Sequence, residues 1–119
     1  MKKILYVDDA KSMRRLVEMV LSKLYDITLA TDGLEGLEAL STQDYDVIVS
    51  DINMPNMNGL DFLQALREDP KHRYTPVLMM TTEADEEMKA KGKELGATGW
   101  ITKPFDPEKL IKVLERVSG

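Results

Sequence analysis

The stretch KKILYVDD, residues 2–9, decides how the rest of the chain is interpreted. Its run ILYV at residues 4–7 is apolar throughout, which is typical of a strand buried on both faces of a parallel sheet. Asp8 and Asp9 follow directly, and from Ser12 onward apolar residues recur at helical spacing as far as Leu24, which predicts the first helix with Leu24 on its core face. Because the carboxyl ends of strands form the ligand edge of an open α/β sheet, this stretch predicts both a fold and the place of a site.

The same alternation of strand and helix occurs five times along the chain. Strands are predicted at residues 4–7, 26–30, 46–50, 77–80 and 98–102, and helices are predicted to begin near Ser12, Asp32, Asn58, Ala84 and Asp106. This repetition predicts an α/β fold, with a five-stranded parallel sheet and five helices on its two faces. The most apolar strands are expected at the centre, so right-handed crossovers give the flavodoxin-like order 2-1-3-4-5. That order reverses between the first and third strands, where the binding crevice is expected.

The whole-chain composition narrows the function classes. A length of 119 residues predicts one domain over residues 1–119. The net charge of −5 argues against a nucleic-acid partner, and the lack of cysteine excludes disulfides and thiolate chemistry. No apolar run approaches the roughly 20 residues that a membrane span needs. We therefore expect a cytoplasmic protein without a nucleic-acid or membrane partner.

Five polar side chains follow or end the predicted strands: Asp8, Asp9, Asp51, Thr81 and Lys103. Clustered carboxylates repel one another unless a cation binds, and oxygen-only ligands on a rigid edge favour Mg²⁺. Asp51 stands alone on a central strand and is the best nucleophile, able to attack phosphorus and form an acyl phosphate. Lys103 and the Thr81 hydroxyl can stabilise the charge that spreads over the phosphoryl oxygens. The sequence predicts a magnesium-dependent phosphoryl site.

Four motifs resemble those of a known family. They are VDDA at residues 7–10, SDINMPNMNG at 50–59, MMTTE at 79–83 and GATGWITKPF at 96–105. In order and spacing they are similar to the motifs of the response-regulator receiver domain, in its single-domain chemotaxis type. The resemblance covers essentially the whole chain.

The resemblance implies a role for each matching residue. Asp51 resembles the phosphorylated aspartate, and Lys103 the residue that contacts the phosphoryl group. The implied metal ligands are Asp8, Asp9, Asp51 and the backbone carbonyl of Asn53, with Asp8 acting mostly through metal-bound water. Thr81 and Trp100 occupy the switch positions, and a cis bond is implied before Pro104.

Two positions depart from the family pattern. Trp100 stands where Tyr or Phe is usual, and a bulkier indole is expected to rotate inward less easily. Thr82 stands where Ala or Gly is usual, beside the expected phosphate. Asn53, Thr82 and Glu83 are predicted to tune dephosphorylation. The Asn53 and Glu83 pair resembles that of short-lived regulators, so we expect a lifetime of seconds or minutes.

The expected function is a switch rather than an enzyme. A histidine kinase would donate the phosphoryl group, and the charge on Asp51 would draw in Thr81 and shift Trp100. A downstream protein, with a flagellar-motor switch protein as the leading candidate, would then read the surface around residues 84–95, Trp100 and the last helix. A phosphatase is a further candidate partner, and a monomer is expected. The chain ends two residues after Val117, so we expect no attached output domain.

Alternatives remain open at this stage. Within the family, the chain could be a phosphorelay intermediate that passes its phosphoryl group to a histidine-containing protein. Outside it, a magnesium-dependent aspartyl-phosphate phosphatase would usually carry Asp at the position of Asn53. A flavin-binding electron carrier would require a Ser-, Thr- or Gly-rich phosphate-binding loop at the position of Asp8 and Asp9. His72 lies in the segment 69–75, which is expected to be a plain loop, and is predicted to be a surface residue.

Overall fold

Residues 1–82 and 86–118 are described by a computed structural model, and they form the expected α/β sandwich. The strands are β1 (Lys3–Val7), β2 (Asp26–Ala30), β3 (Val47–Asp51), β4 (Val77–Thr81) and β5 (Gly99–Thr102). All neighbouring pairs are parallel, in the order β2-β1-β3-β4-β5. The strand order predicted from the sequence is confirmed, and β2 and β5 are the edges.

The helices are α1 (Lys11–Leu21), α2 (Gly33–Thr42), α3 (Gly59–Glu68), α4 (Glu86–Glu94) and α5 (Pro107–Ser118). A 3₁₀ turn, Pro70–His72, lies between α3 and β4. The predicted beginning of the fourth helix, at Ala84 and Asp85, lies outside the described residues, as does Glu83. None of the helices in residues 1–82 and 86–118 combines the length and the hydropathy that crossing a membrane requires.

The core is divided by the sheet into two layers, because successive strand residues point to opposite faces. Ile4 and Tyr6 of β1 pack in a cluster with α1 and α5. Leu5 and Val7 pack in the other cluster, with α2 and α3. All four of these side chains are fully buried, as expected for a central strand. The strand β1 is thus held rigidly from both faces of the sheet.

Two of the predicted helix beginnings are confirmed, each with a side-chain cap. The Asp32 carboxylate accepts a hydrogen bond from the Glu35 amide at 2.9 Å. The Asn58 side chain accepts from the Asp61 amide, also at 2.9 Å. Each cap satisfies an amide that has no partner within its own helix. These caps fix where α2 and α3 begin, close to the carboxyl ends of β2 and β3.

Three local expectations were wrong. Leu24, predicted on the core face of the first helix, lies beyond its end at Leu21 and is 51% exposed. The segment 69–75 is not a plain loop, since it contains the 3₁₀ turn. His72, predicted at the surface, is buried with 1% exposure. The turn brings its backbone carbonyl within 2.6 Å of an Arg67 guanidinium nitrogen, which anchors the segment beneath the end of α3.

Candidate functional site

Three carboxylates meet at the carboxyl ends of β1 and β3, two neighbouring strands in the interior of the sheet. Val7 pairs with Ser50 in the sheet, so the residues that follow, Asp8 and Asp51, lie side by side. One oxygen each from Asp8, Asp9 and Asp51 lies within 4.8 Å of the others. Asp8 and Asp51 are buried, whereas Asp9 is exposed. The structure therefore brings together the three acidic residues that the strand ends predicted.

Lys103 reaches the same place from the end of β5. Its ammonium lies 3.0 Å from Oδ2 of Asp51 and 3.4 Å from Oδ2 of Asp8. Its backbone amide donates to the carbonyl of Thr81 at 2.9 Å, which ties the residue to the end of β4. The bond between Lys103 and Pro104 is cis, as the family resemblance implied.

A second set of hydrogen bonds fixes the carboxylate of Asp8. The Tyr6 hydroxyl donates to its Oδ2 at 2.7 Å, and the Ala10 amide donates to its Oδ1 at 2.9 Å. Arg14 donates to its backbone carbonyl at 2.8 Å. Sequence reasoning treated Tyr6 only as a core residue. The available signal was its spacing, because residues two apart on a strand face the same side.

Burial and charge act in opposite directions on the ionisation of the site. Burial, together with the neighbouring Asp8 charge, raises the pKa of Asp51 above its ordinary value, although the Lys103 hydrogen bond opposes this. Burial lowers the pKa of Lys103, but the hydrogen bond that its ammonium donates to Asp51 and the two carboxylate charges outweigh burial and raise that pKa overall. The pKa of Tyr6 is raised by burial and by Asp8. The phenol and the ammonium therefore remain protonated hydrogen-bond donors at neutral pH.

The remaining predicted residues surround this centre unequally. Thr81 is the last residue of β4 and is buried, while Thr82 is exposed. Asn53 is exposed in the loop after β3. Trp100 lies in β5, half-buried. Glu83, the third residue expected to tune dephosphorylation, lies outside the described part of the chain.

The loop between β3 and α3 is held by the beginning of α2. Asn56, at a φ of 66°, donates from its side chain to Oδ2 of Asp32 at 2.7 Å. The Gly33 amide donates to the Met57 carbonyl at 3.1 Å. Asn tolerates this left-handed backbone better than most residues. These contacts fix the path of the loop that carries Asn53.

The donor set fits a hard divalent cation. Among the residues that the structure describes, the three carboxylates of the cluster face the ammonium of Lys103, which leaves an excess of negative charge at a partly buried edge. The ligands on offer are oxygens, which suit Mg²⁺ better than zinc or copper. Asp9 is exposed, so a cation held there would keep part of its water shell, as Mg²⁺ usually does.

Comparison with known proteins agrees with this geometry. The sequence profile described as the response regulator receiver domain matches residues 4–115. The chain is 39% identical to chemotaxis protein CheY of Pseudomonas aeruginosa, over 98% of this chain and 99% of that protein. The structure of chemotaxis protein CheY4 of Vibrio cholerae superposes with a TM-score of 0.95 at 47% identity, with 98% of each chain covered.

A solved structure of another protein bears on the cation. It is the receiver domain of the sensor histidine kinase PA1611 from Pseudomonas aeruginosa, described with a magnesium ion coordinated in its active-site cleft. That domain is 27% identical to this chain, with a TM-score of 0.91 and coverage of 99% and 98% of the two chains.

Proposed function

The chain belongs to the response regulator receiver domain family, and we propose that Asp51 is the residue on which it accepts a phosphoryl group. Its similarity to CheY proteins supports a phosphoacceptor role in chemotaxis signalling. The observation that carries the assignment to Asp51 is the Lys103 ammonium, which lies 3.0 Å from Oδ2 of Asp51 and also contacts Asp8. A buried carboxylate beside a fixed cation, at the end of a central strand, is arranged for attack on phosphorus.

The transfer involves one bond formed and one broken. An Asp51 carboxylate oxygen attacks the phosphorus of a phosphohistidine on the donor kinase, and an O–P bond forms while the N–P bond breaks. The electron pair returns to the imidazole, which takes a proton from solvent. Lys103 stabilises the charge on the phosphoryl oxygens in the transition state. Asp51 Oδ1 accepts from the Ile52 amide at 2.8 Å, which orients the nucleophile.

We propose Asp8, Asp9, Asp51 and the Asn53 carbonyl as the residues that hold Mg²⁺. When bound, the ion would neutralise the carboxylates and the incoming phosphoryl oxygens. The residues of the chain supply the rest: the buried Asp8 is held by two donors, and Lys103 bridges it to the nucleophile. The protein would act as a phosphoacceptor that promotes only its own phosphorylation and dephosphorylation, and would not turn over a separate substrate.

The proposed output is a change in the surface formed by α4, β5 and α5. Thr81 would move toward the phosphoryl group, and Trp100 would follow it. In α4, only Gly92 is buried among the described residues of the helix, so this helix is weakly anchored and can respond. A downstream protein of the chemotaxis apparatus, such as a flagellar-motor switch protein, would read the change. We place the protein in the cytoplasm and propose that it acts as a monomer.

The decisive experiment measures covalent labelling. The purified protein is incubated with Mg²⁺ and acetyl phosphate, and the gain of one phosphoryl group is followed by mass spectrometry. We expect a hydroxylamine-sensitive label that Asp51→Ala abolishes and that Asp44→Ala, at an exposed carboxylate, retains. Equal labelling of the Asp51→Ala protein would contradict the proposal.

The purified and labelled protein also distinguishes the two alternative functions, the phosphatase and the phosphorelay intermediate. Steady turnover of a phosphomonoester would favour the phosphatase, and rapid transfer of the label to a histidine-containing phosphotransfer protein would favour the relay.

The rate at which the phosphoryl label is lost tests the proposed roles of Asn53, Thr82 and Glu83. We propose a lifetime of seconds to minutes that Thr82→Ala changes, since its exposed side chain follows β4 beside the site. Identical lifetimes would remove that role.

A further inference from the structure

We propose that Tyr6 is a positioning residue for magnesium binding, acting through its hydrogen bond to Asp8. The inference rests on the proposed function, because it assigns Asp8 to the metal site. The Tyr6 hydroxyl donates to Oδ2 of Asp8 at 2.7 Å, and both side chains are fully buried. A hydrogen bond from a neutral donor to a buried carboxylate is short and strong, so it constrains the carboxylate more than a surface contact would.

The contacts of Asp8 show why one hydroxyl matters. The Ala10 amide donates to Oδ1 at 2.9 Å, and the Tyr6 phenol donates to the other carboxylate oxygen, Oδ2, at 2.7 Å. A second donor to Oδ2, the Lys103 ammonium, is farther away at 3.4 Å and belongs to a long side chain that also pairs with Asp51. Tyr6 thus keeps the plane of the carboxylate fixed when Lys103 moves toward an incoming phosphoryl group.

The hydroxyl is separable from the packing of the ring. Tyr6 lies in the core cluster formed with α1 and α5, where its ring contributes apolar contacts. Tyr6→Phe keeps that ring and removes only the donor. Groups that orient metal ligands in this way typically change metal affinity about 10- to 100-fold when they are lost. A hydroxyl with a purely structural role would alter stability without altering the response to Mg²⁺.

The test compares Mg²⁺ binding by Tyr6→Phe and by the wild type, using calorimetry and the rise in Tm that Mg²⁺ produces over EDTA. We expect Tyr6→Phe to raise the Kd for Mg²⁺ about 10-fold and to reduce that Mg²⁺-dependent rise in Tm. The matched control is Tyr45→Phe. Tyr45 is also a buried residue, it lies in the core cluster on the other side of the sheet, and its hydroxyl accepts from Gln43 at 3.0 Å. This control is expected to keep the wild-type Kd.

A second variant pair keeps the outcome unambiguous. In an Asp8→Asn background, Tyr6→Phe is expected to have little further effect on the Kd, because the two changes act on one contact. An unchanged Kd for Tyr6→Phe in the wild-type background would overturn the inference, as would an equal loss in both backgrounds. Absence of Mg²⁺ binding by the wild type would instead overturn the proposed function itself, and with it the role of Tyr6.

Discussion

Gly92 in α4 lies directly under the indole of Trp100 in β5, with no space between them for a methyl group. A Cβ built on Gly92 would stand 2.4 Å from Cζ2 of Trp100. Glycine in the middle of a helix costs about 1 kcal/mol relative to alanine, so its presence here is explained by the volume of the indole. The glycine makes room for a ring larger than the Tyr or Phe that the family pattern has at position 100.

Gly92→Ala is therefore expected to displace the indole. The favourable helix propensity of alanine, about 1 kcal/mol, is opposed by an overpacking cost of about 1–3 kcal/mol. We expect a shift in the Trp100 emission maximum and no gain in stability. The measurements are fluorescence and thermal unfolding of the two proteins under the same conditions.

The control removes the indole instead of the glycine. In a Trp100→Phe background the clash is relieved, so Gly92→Ala is expected to stabilise the protein by up to about 1 kcal/mol. Ala90→Gly, at an exposed position of the same helix, measures the propensity term alone. Equal effects of Gly92→Ala in both backgrounds would show that the two residues are not coupled.

The sheet and the acidic site were predictable because they depend on local patterns. The apolar runs that become β1, β3 and β4 are continuous, and their order follows from general rules of handedness and burial. Once that order is given, Asp8, Asp51 and Lys103 must meet at one edge. The details of their contacts, such as the bridge that Lys103 makes between Asp8 and Asp51, depend on side-chain conformations that the sequence pattern does not specify.

The expectations that were wrong concern features that the local apolar pattern does not reveal. His72 lies among polar neighbours in sequence, and nothing local indicates that Arg67 and the 3₁₀ turn fold its segment inward. Gly92 looks like a helix interruption until Trp100 is placed against it. Leu24 fits the apolar spacing of α1, but the helix ends before reaching it. For Gly92, it is a tertiary contact, the packing of the indole, that explains the residue.

Gly59, at the beginning of α3, is expected to tolerate no side chain. A Cβ there would lie 2.1 Å from the Asp51 carbonyl and 2.8 Å from the Ile52 Cα, both of them backbone atoms that cannot move aside. Gly59→Ala should therefore reduce the free energy of unfolding by about 3 kcal/mol or more, and should displace Asp51 and slow labelling by acetyl phosphate. Urea denaturation and mass spectrometry check the two effects.

Gly99 provides the comparison for that change. Its added Cβ would meet a methyl group of the Leu78 side chain at 3.2 Å, and a side chain can adjust. We expect Gly99→Ala to change stability by less than about 1.5 kcal/mol and to leave labelling intact. Similar losses of labelling in both variants would contradict the specific effect of the contact with Asp51.

Arg67 joins the end of α3 to two other segments through three backbone carbonyls. Its guanidinium donates to the carbonyls of His72 at 2.6 Å, Thr75 at 2.7 Å and Gly96 at 2.8 Å. A lysine has the charge but not the planar fork, so it cannot reach all three. We expect Arg67→Lys to lower the free energy of unfolding by about 2–3 kcal/mol, measured in urea.

The control for Arg67 is a nearby arginine outside this network. Arg73 is exposed, and Arg73→Lys is expected to stay within about 0.5 kcal/mol of the wild type. Hydrogen exchange of the segments around residues 72–75 and 96 should increase in Arg67→Lys, because those segments lose their shared anchor. An Arg67→Lys protein with the same free energy of unfolding as the wild type would show that the planar guanidinium contributes little to stability.

Asp32 makes the beginning of α2 sensitive to acid. The Glu35 amide, and then the Asn56 side chain, donate to its carboxylate and hold its pKa below the ordinary value. A carboxylate whose pKa is lower in the folded state stabilises the fold above its unfolded pKa of about 3.9. That contribution is lost as the pH falls through the folded-state pKa.

Asp32→Ala is accordingly expected to cost about 1–2 kcal/mol at neutral pH, as other cap deletions do. The difference in the free energy of unfolding between Asp32→Ala and the wild type should become smaller below about pH 4, where the wild-type carboxylate begins to be protonated. Asp32→Asn can cap the helix but does not titrate, so its free energy of unfolding should lack the pH dependence that the Asp32 carboxyl group causes. Denaturant unfolding at a series of pH values measures all three proteins, and a constant difference down to low pH would contradict the assignment.

Asp51 should destabilise the protein as long as no cation is bound. Burial, with the Asp8 charge beside it, raises the pKa of Asp51 in the folded state. For a carboxyl group shifted in this direction, the protonated form favours folding, and stability is lost as the pH rises through the folded-state pKa. Asp51→Asn mimics the neutral form, so we expect a higher Tm than the wild type at pH 7 in EDTA.

Mg²⁺ should reverse the order of the two Tm values, because it stabilises the wild type by binding a cluster from which the variant lacks one carboxylate, that of Asp51. The Mg²⁺-dependent rise in Tm is therefore expected to shrink in Asp51→Asn, while Asp44→Asn, at an exposed position, follows the wild type in both buffers. A lower Tm for Asp51→Asn in EDTA would mean that the 3.0 Å ion pair with Lys103 outweighs the cost of burying the charge. Asp51 would then contribute to the stability of the fold in addition to its proposed role as phosphoacceptor.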